Sequence, residues 1–264
     1  MLWSARPKAV LSADRTNDCS DTMAALKPSD RPPYGMVETL LGTAVAVGGA
    51  IILYVGLGLW GPLGLADHRG VAITLADLWM CAVVIVAVRR RWSVIDYFAL
   101  ARPRFRVVGV GIAAQLALEL IRTGLTLMEL HNSCLPISGC PGLSLEMPAA
   151  SAELIAAWFA TLVVIGPFSE EIVFRGFLYA GLARAIKSPV AVIAIVALAF
   201  TCAHPDVVLH PFGFGTFWRF GCGLLYGVLR WKCGSLWPAI AAHVTSDTVA
   251  FTTTTFVAVT LVPR

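Results

Sequence analysis

Apolar runs of helix length alternate with short polar or basic stretches from near residue 36 almost to the end of the chain. A helix needs about 20 mostly apolar residues to cross a bilayer. The pattern predicts helices over 37–60, 71–88, 106–127, 153–183, 188–204, 213–230 and 235–258. The fourth is too long for one straight crossing. It contains Pro167, which removes a helix hydrogen bond and kinks or splits a helix. The expected fold is an all-α, polytopic transmembrane helical bundle with about 7–8 membrane helices. Residues 1–34 are polar and are expected to form a flexible cytoplasmic N-terminal tail, with 35–264 as the membrane-embedded helical domain.

Composition agrees with the pattern. Hydrophobic residues make up 58% of the chain and charged residues 14%. Soluble domains sit near 25% charged. That little polar surface cannot cover a water-soluble fold, so lipid is the expected surroundings. The net charge of +4 is too small to suggest nucleic-acid binding.

Basic residues orient the helices. Arg89, Arg90, Arg91, Arg102, Arg104 and Arg106 fall between the second and third runs, which places that loop and the N-terminus in the cytoplasm. Arg184 with Lys187, and Arg230 with Lys232, mark two further cytoplasmic turns, while 129–150 has no Lys or Arg and belongs outside. Cys134 and Cys140 in that outer loop read either as a disulfide or as two free thiols. No CxxC spacing occurs among the seven cysteines, which argues against a zinc ribbon or a thioredoxin-like centre.

Ionisable residues inside apolar helices cost about 2.5–3.5 kcal/mol each on insertion scales and are functional candidates by default. The densest group is Glu170-Glu171-Ile172-Val173-Phe174-Arg175. Glu171 and Arg175 are spaced to pair along one helix face, which turns Glu170 toward another. Phe200 and His204 follow one turn apart, then Gly221-Cys222-Gly223-Leu224-Leu225-Tyr226-Gly227, whose small residues let helices approach closely. His243 and Asp247 share a face of the last helix. Glu119 with Arg122 reads as a structural pair, and Asp77 and Glu38 read as packing or near-interface residues. Asp206 and His210 fall in an expected loop.

The order EExxxR, FxxxH, Gly-rich helix, HxxxD resembles the CPBP family, the CAAX prenyl proteases and bacteriocin-processing membrane peptidases also called the ABI family. The resemblance covers about residues 150–255. It implies an intramembrane endopeptidase in which Glu170 and His204 activate a water that attacks the scissile carbonyl. Glu171 and Arg175 complete the first motif, and His243 and Asp247 are implied at the oxyanion. The family's last motif more often ends in asparagine. Asp247 therefore donates a hydrogen bond only when protonated, or else orients His243.

No HExxH spacing is present, and the resemblance implies no metal; no cofactor is expected. The expected partners are the lipid bilayer and a membrane-associated peptide or protein substrate, with or without a prenylated CAAX-like tail, and no nucleic acid. The expected location is a bacterial inner or plasma membrane. Two other readings stand beside the peptidase: a non-catalytic membrane immunity or scaffold protein that keeps the fold, and a transporter whose charges line a pathway.

Overall fold

A computed structural model describes residues 34–60, 68–101, 105–133, 152–204, 207 and 211–261. The expected tail up to residue 33, the loop with Cys134 and Cys140, and Asp206 and His210 lie outside the described residues. The described elements are all helical. In chain order they are α1 (Met36–Trp60), α2 (His68–Arg89), the short α3 (Val94–Tyr97), α4 (Phe105–Ser133), a continuous helical run α5 (Ala152–Ala185), α6 (Pro189–Cys202), α7 (Phe214–Cys233) and α8 (Trp237–Leu261).

Four helices among the described residues are long and apolar enough to cross a membrane, within Met36–Leu57, Gly70–Arg89, Phe105–Gly124 and Ala152–Ala185. This makes the chain a membrane protein with fewer clear crossings than the 7–8 expected. Helix α6 shows why the count differs. Its 14 residues rise only about 21 Å, short of a hydrocarbon core about 30 Å thick. Helix α7 carries Arg219, Arg230 and Lys232 within its 20 residues. The outer faces are apolar: Ile52 is 73% exposed and Leu120 74%. Exposed side chains of that kind need lipid rather than water.

Helix α5 is not split at Pro167. Its α-helical turns are interrupted by two π-helical stretches, Ala160–Ile165 and Ile172–Leu178, and Pro167 sits at the start of the α-helical segment Gly166–Glu171 between them. Wider π turns change which backbone groups pair, which accommodates a residue that has no N–H to give. The second stretch, Ile172–Leu178, is buried throughout and forms the middle of the protein. Helix α2, α6 and α8 all pack against α5.

Close helix approaches rest on small residues. A Cβ at Gly223 would lie 3.1 Å from Ala197 Cβ, and one at Gly227 2.8 Å from Ile193 Cγ2, so α7 lies directly on α6. Gly221 has open space where its Cβ would be, so the seam is made by Gly223 and Gly227. Helix α4 runs along α8. At their crossing a Cβ on Gly111 would lie 2.2 Å from the Pro238 carbonyl oxygen. Backbone cannot swing aside as a side chain does. Gly111→Ala is therefore expected to lower unfolding stability in detergent by about 1–3 kcal/mol. An unchanged unfolding midpoint would show that the crossing tolerates a methyl group.

The basic loop after α2 is more than an orientation signal. Ser93 caps α3, accepting from the Asp96 N–H at 3.4 Å. Tyr97 and Phe98 are buried beneath it. Ala99 takes a left-handed backbone, φ 53°, and its carbonyl accepts from the Leu236 N–H at 3.1 Å. The loop thereby holds the start of α8. Tyr34, at the boundary of the expected tail, is also buried. Its ring packs edge-on against Tyr97 and Phe177, and its carbonyl accepts from the Arg184 guanidinium.

Candidate active site

Three helices bring the motif residues to one place. Helix α5 supplies Glu170, Glu171 and Arg175. His204 follows directly on the end of α6, and α8 supplies His243 and Asp247. The sequence separates these residues by up to 77 positions, and the bundle brings them within about one side-chain length of each other.

Arg175 and Glu171 form the buried floor. Both side chains are 0% exposed, and Arg175 Nη1 donates to Glu171 Oε1 at 2.7 Å. Arg175 Nη2 donates to the Gly223 carbonyl at 3.2 Å. Its guanidinium carbon lies 4.2 Å from the Phe200 ring centroid and 5.1 Å from that of Tyr226. The buried cation is thus held by a carboxylate, a carbonyl and two aromatic faces, while its Nε has no hydrogen-bond partner among the described residues.

His243 stands on that floor. Its Nδ1 lies 3.0 Å from Glu171 Oε1. Glu171 already accepts from Arg175 through the same oxygen, so it is an acceptor and Nδ1 carries the proton. The His243 ring stacks on Tyr226, centroids 4.9 Å apart and planes 27° from parallel. Its remaining nitrogen, Nε2, faces Glu170 Oε2 at 3.7 Å and Asp247 Oδ2 at 3.7 Å. A carboxylate behind one ring nitrogen leaves the other aimed at the reaction space, the logic by which histidines are oriented in hydrolases.

His204 is fixed in a similar way. Its Nδ1 lies 2.8 Å from the Phe200 carbonyl oxygen, which can only accept. The Nδ1 proton is thus committed, and Nε2 faces Glu170 Oε1 at 4.0 Å. Phe200 touches both imidazoles, with ring centroids 4.8 Å from His204 and 5.6 Å from His243. The phenylalanine of the second motif is therefore the spacer that holds two histidines and an arginine at fixed separation.

Glu170 differs from its neighbour in every respect that matters for chemistry. It is 21% exposed where Glu171 is 0%. One of its oxygens faces each histidine. Both separations exceed a direct hydrogen bond, so neither histidine ties up the Glu170 carboxylate. The structure brings together all six residues singled out in the sequence: Glu170, Glu171, Arg175, His204, His243 and Asp247.

Three neighbours were not read from the sequence as part of this place. Asp77 of α2 is 6% exposed, lies against Gly166 one turn before Glu170, and is close enough to Glu170 and His243 for charge to act between them. Tyr226 lies in the Gly-rich string, where the glycines drew the reading rather than the ring that stacks on His243. Glu119, read as a partner of Arg122 alone, pairs with it at 2.8 Å and also accepts from Ser246 of α8 at 3.0 Å. A single sequence gives no signal for such contacts across helices.

Residues 152–249 match the sequence model of a family described as type II CAAX prenyl endopeptidase Rce1-like. The match is consistent with the CPBP resemblance carried by the four motifs and contains all six site residues. Helices α1 to α4 lie outside it. No curated protein and no solved structure matches the chain.

Proposed function

We propose that the protein is a membrane endopeptidase that hydrolyses a peptide bond in a membrane-associated substrate, with Glu170 as the base. The reading rests on one observation. A part-exposed carboxylate is flanked by two imidazoles whose far nitrogens are each committed to a buried acceptor. Peptide hydrolysis needs a base for water, a proton donor for the leaving amine and a donor for the oxyanion.

In this scheme a water lies between Glu170 and His204. Glu170 takes its proton as the oxygen attacks the carbonyl carbon. The C–N bond then breaks, and the proton passes to the departing amine. His243, protonated on both ring nitrogens, donates Nε2–H to the developing oxyanion, while Glu171, locked by Arg175, accepts from Nδ1–H and keeps that ring in orientation. Asp247 faces the same Nε2 and serves to orient it. The six residues act in these roles through their own side chains, without a metal.

The substrate is a peptide or protein segment held at the bilayer, with a prenylated CAAX-like tail or without one. We also place the N-terminus in the cytoplasm, on the strength of the arginine-rich loop after α2. Helices α6, α7 and α8 complete a bundle of seven or eight membrane helices, counting α5 once or twice.

The test is cleavage of membrane-anchored peptides by the purified protein in liposomes. Joint replacement of Glu170, His204 and His243 is expected to remove cleavage at unchanged expression. A biological role that survives that triple replacement would make the protein a scaffold or immunity factor. Cleavage is also expected to persist after exhaustive chelation. Loss that zinc restores would overturn the metal-free scheme.

A further inference from the structure

Helix α4 lies outside the matched family segment, yet its buried side is polar. Gln115 is 0% exposed and Glu119 4%. They stand one turn apart, and Gln115 Nε2 donates to Glu119 Oε1 at 3.0 Å. The same oxygen accepts from Ser246 Oγ of α8 at 3.0 Å. The other carboxylate oxygen pairs with Arg122 Nε at 2.8 Å. Gln115 Nε2 also reaches Cys222 Sγ of α7 at 3.8 Å, and the Arg122 guanidinium lies over the Trp218 ring of α7 at 5.2 Å. One buried network on α4 therefore grips both α7 and α8.

Ser246 is the point where this network meets the site. It lies three residues after His243 and immediately before Asp247. Consecutive helix residues point about 100° apart, so fixing the direction of Ser246 fixes those of His243 and Asp247. An apolar helix seam in a membrane resists rotation weakly, because lipid and neighbouring helix are equally apolar. A turn of α8 by roughly 20° would carry side-chain atoms on a 5–6 Å radius by about 2 Å. That shift is enough to break the 3.0 Å contact between His243 and Glu171.

We propose that Ser246 and Glu119 are positioning residues, which lock the rotation of α8 so that His243 and Asp247 face Glu170. The inference rests on the peptidase reading above. It gives the unmatched N-terminal part of the chain a role in the chemistry.

The test uses the full chain in liposomes, with a membrane-anchored peptide, and measures kcat, KM and Tm separately for Ser246→Ala, Ser246→Thr and Glu119→Gln. Ser246→Ala is expected to lower kcat about tenfold, the scale of a slightly misplaced group. KM and Tm are expected to hold, since Glu119 keeps Gln115 and Arg122. Ser246→Thr keeps a hydroxyl and is expected to restore kcat. A Thr variant as slow as the Ala variant, or a Tm loss in Ser246→Ala with kcat unchanged, would overturn the role. Should Glu119→Gln not fold, the two Ser246 variants carry the test. Full activity of Ser246→Ala in a protein that Glu170→Gln silences sinks this inference alone. Full activity of Glu170→Gln sinks the assigned base instead.

Discussion

Glu170→Gln is expected to lower kcat for peptide cleavage by about 10²–10⁴-fold, the usual contribution of a positioned general base. The same change is expected to leave the unfolding midpoint where it was. Glu170 is part-exposed, and neither histidine is within hydrogen-bond distance of it. Its amide replacement leaves no buried cation without its ion pair, because Arg175 pairs with Glu171 and the Gly223 carbonyl and not with Glu170. It also removes a negative charge facing the buried Asp77. The loss should therefore appear in kcat and not in folding. A Gln variant that cleaves at the native rate would remove Glu170 from the mechanism, whatever the surrounding distances.

The helices were readable because apolar runs and basic punctuation are written locally. Every expected helix has an observed counterpart within a few residues, and Gly223 with Gly227 forms the close seam that small residues foretold. The pairing of Glu171 with Arg175 follows from spacing alone. What stayed hidden depends on geometry between elements. The π turns of α5 have no residue signature beyond Pro167, yet one of them holds Arg175 in the centre of the protein. Asp77 looked like a packing residue because nothing near it in sequence is charged. Glu119 found an obvious local partner in Arg122, which concealed its bond to Ser246, 127 positions away. Four crossings are clear among the described residues by length and apolar character, and the remaining apolar helices are shorter or more polar. Apolar character identified α6 as a membrane helix, while its observed length is set by the turn that places His204 beside Glu170.

Arg175→Met is expected to damage folding more than any other single change in the site. Met roughly keeps the volume and loses the charge. Glu171 would then sit at 0% exposure with His243 as its only remaining polar contact. Breaking one partner of a buried pair costs about 3–5 kcal/mol, a large share of a typical total of 5–15 kcal/mol. The Gly223 carbonyl would lose its donor as well, and Phe200 and Tyr226 would lose the cation between them. Poor accumulation and a steep fall in Tm should follow. Removing both charges separates stability from chemistry. Glu171→Leu combined with Arg175→Met takes away the stranded carboxylate, and apolar replacement of a whole buried pair is often neutral or stabilising. The double variant should recover most of the Tm and almost none of the cleavage, because His243 Nδ1 has lost the acceptor that holds its ring. A single variant as stable as the native protein would mean that Glu171 carries no buried charge needing Arg175. A double variant that cleaves normally would mean that His243 keeps its orientation without Glu171.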